Sequence, residues 1–278
     1  MLHIVIPVFN RLSFTLACLD SLREQTDQDF KVVIVDDGST DGTAATLAKD
    51  YPEVKVLFGS GSLFWTAGVN LGLRYALDQG AGWLMTMNND VIVYPDFVAN
   101  MKKAADSRPP ALYGAYELDA VTQEPIYSGG WLDWRTGSFR RLLDDLAPDQ
   151  RKGQWPSQNL PGRGLMIPRV VFDKIGLFAA DVLPHYYADY DFTHQARLAG
   201  FEVYLNFDAR LGTYPDESGD QHNRKRKSLS NYYNHLFSIR GGANLRDFTQ
   251  FARRNCPPLY LPLFLANGYM RRILGYWR

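Results

Sequence analysis

The first hundred residues alternate between short apolar runs and stretches with helical spacing, and this alternation leaves the chain few architectures to choose from. Residues 2–8, 31–35, 54–58 and 83–87 read as strands. Between them Leu12, Leu16, Leu19 and Leu22 recur at helical spacing, and helices are expected over residues 43–49 and about 67–77, with another beginning near Pro95 or Asp96. Strands separated by helices imply right-handed crossovers and a parallel sheet.

Two of these strands close in acidic turns, Val35-Asp36-Asp37-Gly38-Ser39 and Met87-Asn88-Asn89-Asp90-Val91, about fifty residues apart. Carboxylates placed there emerge at the carboxyl edge of the sheet, where open α/β folds bind ligands. One carboxylate suits a ribose or base edge. Another suits a hard divalent cation, Mg2+ or Mn2+, bridging two phosphates. Together they point to a nucleoside diphosphate. Either turn alone reads equally as a loop or a capped strand end, because Asp, Gly, Ser and Thr dominate turns; the pair of edges favours a ligand.

A third constellation runs through Tyr186-Tyr187-Ala188-Asp189-Tyr190-Asp191. A helix is expected from about 189 to 199, so Asp189 is an N-cap or a general base facing a pocket, while His194 and Arg197 read as structural. The loop from Gly59 to Asn70 is Gly-rich and opens a helix. It lacks the Gly-x-x-x-x-Gly-Lys-Ser/Thr phosphate loop, and no Gly-x-Gly-x-x-Gly follows the first strand, so ATPase and dehydrogenase readings lose most of their support. Residues 109–160 loosen into aromatics interspersed with Gly, Pro and charge, as short antiparallel strands and long loops would. Order returns with a strand over 162–168, a short helix over 170–175 and a strand over 201–207.

The net charge of zero conceals a division. From His222 onward there are eleven Lys or Arg and one acid, a net +10 over 57 residues, which leaves −10 on residues 1–221. Such a split suggests a catalytic body whose tail meets an anionic surface, and nothing points to nucleic acid. Two cysteines, Cys18 and Cys256, imply neither a disulfide framework nor a Cys-rich metal site. Met1 runs straight into a strand, and the longest apolar stretch, 259–269, is broken by Pro262 and Gly268 and falls far short of the roughly 20 residues a spanning helix needs. The expectation is a cytoplasmic protein, peripheral on the inner face of the cell membrane, with Tyr260, Leu263, Phe264, Leu265, Tyr269, Ile273, Leu274, Tyr276 and Trp277 entering the interface beside Arg271 and Arg272. Packing of these aromatics on the body or on another subunit of a homo-oligomer is the competing expectation.

In order, Val5-Ile6-Pro7-Val8-Phe9-Asn10, Val35-Asp36-Asp37-Gly38-Ser39-Thr40-Asp41, Thr66-Ala67-Gly68-Val69-Asn70, Asn88-Asn89-Asp90, Gly162-Arg163-Gly164-Leu165-Met166-Ile167-Pro168 and Ala188-Asp189-Tyr190-Asp191 resemble the family 2 inverting glycosyltransferases of the GT-A fold, over about residues 1 to 210. The resemblance implies an α/β fold with a mostly parallel central sheet flanked by helices and a helical, basic C-terminal extension. It implies a GT-A catalytic domain over 1–221, with a nucleotide-sugar half to about 108 and an acceptor half from about 109, followed by the extension over 222–278. The implied activity is metal-assisted, inverting transfer of a hexosyl or deoxyhexosyl group from a nucleoside-diphosphate donor to a glycan or lipid-linked acceptor, as in bacterial cell-surface polysaccharide and lipopolysaccharide synthesis.

By the same resemblance Pro7, Phe9, Asn10, Asp37, Gly68, Asn70, Asn89 and Asp90 bind the nucleotide sugar. Asp90 binds the metal and Asp189 is the catalytic base. Trp65, Gly164 and Asp191 lie on the acceptor or donor-sugar side. The chain departs from the pattern twice: Asn88 replaces the leading acid of the Asp-x-Asp element, and Ala188 replaces the Glu of a Glu-Asp pair. His222 is a further metal-ligand candidate, set against a surface-loop reading of its Gly, Asp and Asn neighbours. Two alternatives stay open, a sugar-1-phosphate nucleotidyltransferase and a non-catalytic sugar-binding relative.

Overall fold

In the computed structural model, which describes residues 1–107, 110–215 and 227–277, the sheet grows outward from β1 (Leu2–Val8). It pairs in parallel with β2 (Phe30–Asp36), from Leu2 opposite Phe30 to Val8 opposite Asp36, and on its other side with β4 (Trp83–Thr86); β3 (Lys55–Phe58) extends the parallel set beyond β2. Ile4, Val5 and Ile6 are inaccessible to solvent, as expected for a strand buried on both faces. The crossovers are α1 (Leu12–Arg23), α2 (Thr43–Asp50) and α3 (Phe64–Asp78). Helix α3 lies close on the sheet because glycine faces it: a Cβ on Gly72 would sit 2.3 Å from Val5 Cγ1, and one on Gly68 3.2 Å from Pro7 Cβ.

The second half adds β5 (Val91–Val93), α4 (Phe97–Asp106), β6 (Leu112–Asp119), β7 (Gly130–Asp133), β8 (Ser138–Arg141), β9 (Gln154–Pro156), β10 (Leu165–Pro168), α5 (Arg169–Ile175), α6 (Ala188–Leu198) and β11 (Val203–Thr213). Among the described residues the large sheet runs β3-β2-β1-β4-β10-β6-β11-β5, with β9 on β11, and β7-β8 form a separate hairpin. Short antiparallel strands expected in the loosened region are there, as the β7–β8 pair. So is an unexpected long strand: β6 runs parallel to β11, and Tyr113, Gly114, Tyr116 and Glu117 broke the apolar run by which it would have been read. Strand β11 continues past 207 because a bulge between Asn206 and Arg210 lets it turn and pair again.

The extension is helical, α7 (Leu229–Phe237), α8 (Leu245–Asn255) and α9 (Leu261–Gly275), and it packs on the body. Trp134, ahead of β8, stacks on Phe251 of α8 at 5.9 Å and packs against Phe264 of α9 at 5.2 Å; Tyr187 stacks on Phe251 at 5.2 Å. This corrects the expected set of interface residues. Phe264 and Tyr276 are buried, and Tyr260, Leu265 and Tyr269 lie against the core, whereas Leu263, Ile273, Leu274 and Trp277 are exposed. No helix among the described residues is long and apolar enough to cross a membrane. His222 lies outside the described residues.

Candidate active site

A cleft of about 780 Å3 opens at the carboxyl ends of β1, β2 and β4. The chain leaves β1 through two left-handed residues, Asn10 (φ 57°) and Arg11 (φ 63°), each costing about 1–2 kcal/mol relative to ordinary backbone. Asn10 binds the turn after β2: its N–H donates to Ser39 Oγ at 2.7 Å, and its Oδ1 accepts from Thr40 N at 2.8 Å. Of the five non-glycine residues with positive φ among the described residues, Arg11, Phe64 and Tyr187 line the cleft and Asn10 adjoins it. Backbone strain gathers at this one place, as it does at functional sites.

Asp37 lines the cleft, and its carboxylate organises the glycine loop. Oδ1 accepts from Gly61 N at 2.7 Å and Oδ2 from Leu63 N at 2.8 Å. Gly59 must lack a side chain here, since a Cβ would fall 2.4 Å from Asp37 Oδ1. Pro7, Phe9, Trp65, Asn89 and Asp90 also line the cleft. Gly68, Asn70, Gly164 and Asp191 do not. Gly68 packs α3 on β1. Asn70 exchanges two hydrogen bonds with the Phe178 backbone. Gly164 (φ 71°) is walled in by Ala115 and Leu211. Asp191 points at the extension, where Arg254 Nε (2.9 Å), Arg254 Nη2 (3.2 Å) and Asn255 Nδ2 (2.7 Å) all donate to it.

The turn after β4 is occupied by its own neighbours. Asn88 Oδ1 accepts from Trp65 Nε1 at 2.8 Å, Asn89 Nδ2 donates to Thr15 Oγ1 at 3.0 Å, and Asp90 Oδ2 accepts from Arg11 Nη1 at 3.1 Å. Asp90 Oδ1 is buried with no hydrogen-bond partner among the described residues. These residues contain no group of three or more His, Cys, Asp or Glu suited to a metal. One carboxylate oxygen still fits a hard cation whose other ligands are diphosphate oxygens and water.

Asp189 sits in the first turn of α6, behind the left-handed Tyr187 (φ 67°) that starts the helix. It is not the N-cap. Its Oδ2 accepts from Gly162 N at 2.9 Å and its Oδ1 from Tyr190 N at 2.9 Å. Burial raises its pKa above the usual aspartate value and outweighs those donors and Arg163, which act the other way. Beside it, Glu117 is wholly buried and ion-paired to Arg163 at 2.7 Å, and burial pushes its carboxyl up to about 7.

Sequence reasoning missed several cleft residues: Arg11, Arg163, Tyr127, His185, Tyr190 and Arg240. Arg240, with His235 and Gly242, comes from the extension, so a boundary at 221/222 divides the cleft wall. Its guanidinium lies 5.2 Å from the Phe9 ring and 5.8 Å from that of Phe64. Burial first, and then Arg240, push His185 down to about 4, so it is neutral at pH 7.

A mixed sheet whose parallel half carries acids at its carboxyl edge, capped by helices, has the architecture of the GT-A fold. The chain belongs to glycosyl transferase family 2, whose model matches residues 3–176. It is 26% identical over 203 residues to an uncharacterized glycosyltransferase of Rickettsia typhi, covering 69% of this chain and 57% of that protein. It is also 26% identical over 226 residues to an uncharacterized protein of Mycobacterium bovis, covering 80% and 77%. The chain thus spans little more than half the length of the rickettsial relative. Two solved structures share its fold over 99% of the chain: S. aureus TarS in complex with UDP (TM-score 0.60, 13% identity, 88% of that chain) and GalNAc-T7 with UDP, GalNAc and Mn2+ (TM-score 0.62, 14% identity, 55% of that chain).

Proposed function

We propose that this protein transfers a sugar from a nucleoside-diphosphate donor to a hydroxyl of a glycan or lipid-linked acceptor, with inversion. The observation carrying this reading is the position of Asp189: a half-buried, raised-pKa carboxylate in the same cleft as Asp37 and Asp90, held by Gly162 and Tyr190 N–H groups. The acceptor oxygen attacks the anomeric carbon from the face opposite the diphosphate and gives its proton to Asp189. The bond to the phosphate oxygen breaks as the new one forms, and the nucleoside diphosphate leaves. Family membership favours this over nucleotidyl transfer. Asp37 and the loop it holds bind the nucleoside, with Phe9 and Arg240 at the mouth of the cleft.

Asp90 Oδ1 and the donor diphosphate would hold a divalent cation, which neutralises charge on the leaving group. Arg163 adds a fixed positive charge from the chain itself. The extension's exposed residues, Leu263, Ile273, Leu274 and Trp277, are the part of the tail that can meet an anionic membrane bearing a lipid-linked acceptor. The test is a panel of nucleotide sugars with acceptors, read by release of nucleoside diphosphate and by the anomeric configuration of the product. Retention of configuration, or hydrolysis unaffected by Asp189→Asn, overturns the reading.

A further inference from the structure

The Arg11–Asp90 ion pair leaves one polar atom of each partner unspent. Arg11 Nη1 donates to Asp90 Oδ2, yet Arg11 Nη2 and Asp90 Oδ1 are both buried without hydrogen-bond partners among the described residues. Asp90 is nearly inaccessible, with its side chain 5% exposed, while that of Arg11 is 33% exposed and lies over the Phe14 ring at 4.5 Å. A buried carboxylate needs a counter-charge, and in the donor-free protein Arg11 supplies it. A guanidinium and a divalent cation on one carboxylate repel each other and compete for its oxygens. Asn88 and Asn89 offer little compensation, since Trp65 and Thr15 already engage them.

From this geometry we infer that Arg11 is a resident counter-ion that closes the Asp90 seat to a free cation until a nucleoside diphosphate enters, an inference that rests on the proposed cation role of Asp90. The diphosphate changes both sides of the balance. It brings negative charge that draws the Arg11 guanidinium off the carboxylate and gives Nη2 an acceptor, and it brings the oxygens that complete a cation's coordination. Cation and donor therefore load together. The left-handed backbone of Arg11 fixes the root of the side chain at the cleft, so only the side chain has to move.

The test measures Mn2+ binding to donor-free protein by loss of the free-ion paramagnetic resonance signal, and repeats it with UDP. Wild type and Arg11→Lys are expected to bind Mn2+ weakly alone. Arg11→Met and Arg11→Gln should bind it about ten- to hundredfold more tightly, the range for removal of one charge-assisted hydrogen bond that competes for the same oxygen. That gain should vanish when Asp90→Asn is added. With UDP present, wild type should approach the variants. Equal donor-free affinity in wild type and both neutral variants overturns the inference and leaves the cation reading standing, whereas a gain that survives Asp90→Asn overturns both, because the cation then sits elsewhere. If no form binds Mn2+ even with UDP, the cation reading itself fails and the inference falls with it.

Discussion

The N-terminal half and the C-terminal extension are held by different forces. In residues 1–107 the framework is backbone hydrogen bonding between parallel strands with Ile4, Val5, Ile6 and Ile34 in the centre, and charge appears mainly where strands stop. In the extension, buried aromatics and arginine contacts to the body share the attachment. Arg254 is spent on Asp191, Arg271 on the carbonyls of Thr136 and Gly137, and Arg272 on the Tyr187 hydroxyl while it covers the Phe248 ring at 3.5 Å. Read as a sum, the tail is +10 and resembles a surface for anions. Residue by residue, Arg254 is neutralised by Asp191, while Arg271 and Arg272 anchor the tail through neutral acceptors and keep their charge. Net charge is a property of a segment, but a charge with a partner 2.9 Å away has little left to offer a distant surface.

If the two regions differ in this way, substitutions should separate chemistry, binding and attachment. Asp189→Asn should reduce turnover by about 10²- to 10⁴-fold, the usual worth of a general base, with UDP affinity by calorimetry unchanged; full turnover would move the base elsewhere. Asp37→Ala should release the 59–63 loop and weaken UDP binding by roughly ten- to hundredfold, because two charge-assisted hydrogen bonds to that loop are lost. Arg254→Ala should cost about 2 kcal/mol in urea unfolding, discounted from a fully buried pair because Arg254 is 37% exposed, and should leave UDP affinity intact. A selective loss of kcat with normal stability would return Asp191 to the acceptor side.

The pH response sharpens the same comparison. Glu117 is raised to about 7 and Asp189 is raised, so both hold a proton more readily folded than unfolded. Ionising them opposes the fold. Their contribution to stability is greatest below the ordinary carboxylate range, declines as pH climbs towards 7, and is level above it. Glu117→Gln should flatten the slope of urea midpoints between pH 5 and 7. The smallest effect is expected at the membrane: Leu274→Ser with Trp277→Ser should lower sedimentation with anionic liposomes a few-fold while catalysis on soluble acceptors is unaffected. No liposome binding by the wild type at low salt would assign the extension wholly to the body.

What could be read from the sequence follows the same division. Asp37, Asp90 and Asp189 were legible because each stands at the end of a periodic element, where periodicity itself predicts an edge. Asp191 shared that signal and was misplaced, since two residues along a helix turn a side chain to another face, here towards Arg254. Arg11, Arg163 and Arg240 carry no periodic mark; what makes them part of the cleft is a partner far along the chain, 79 residues away for Arg11 and Asp90. Glu117 was hidden for the opposite reason, as a carboxyl inside a strand whose neighbours are buried aromatics and glycine.

Gly162 bears on how such a site can diversify. Its N–H holds Asp189, and a methyl group in place of its hydrogen would lie 2.5 Å from Trp65 Cζ2, inside the indole that is itself tied to Asn88. The base, the glycine and the indole therefore constrain one another, and a change at any of them has to be answered by the other two. New sugar or acceptor preferences should arise at Tyr127, His185 and Arg240, whose side chains border the cleft without a hydrogen bond to the base. Lineages descended from a common ancestor of this chain should vary most there, and directed evolution seeking a new acceptor should randomise those three positions and spare the turn.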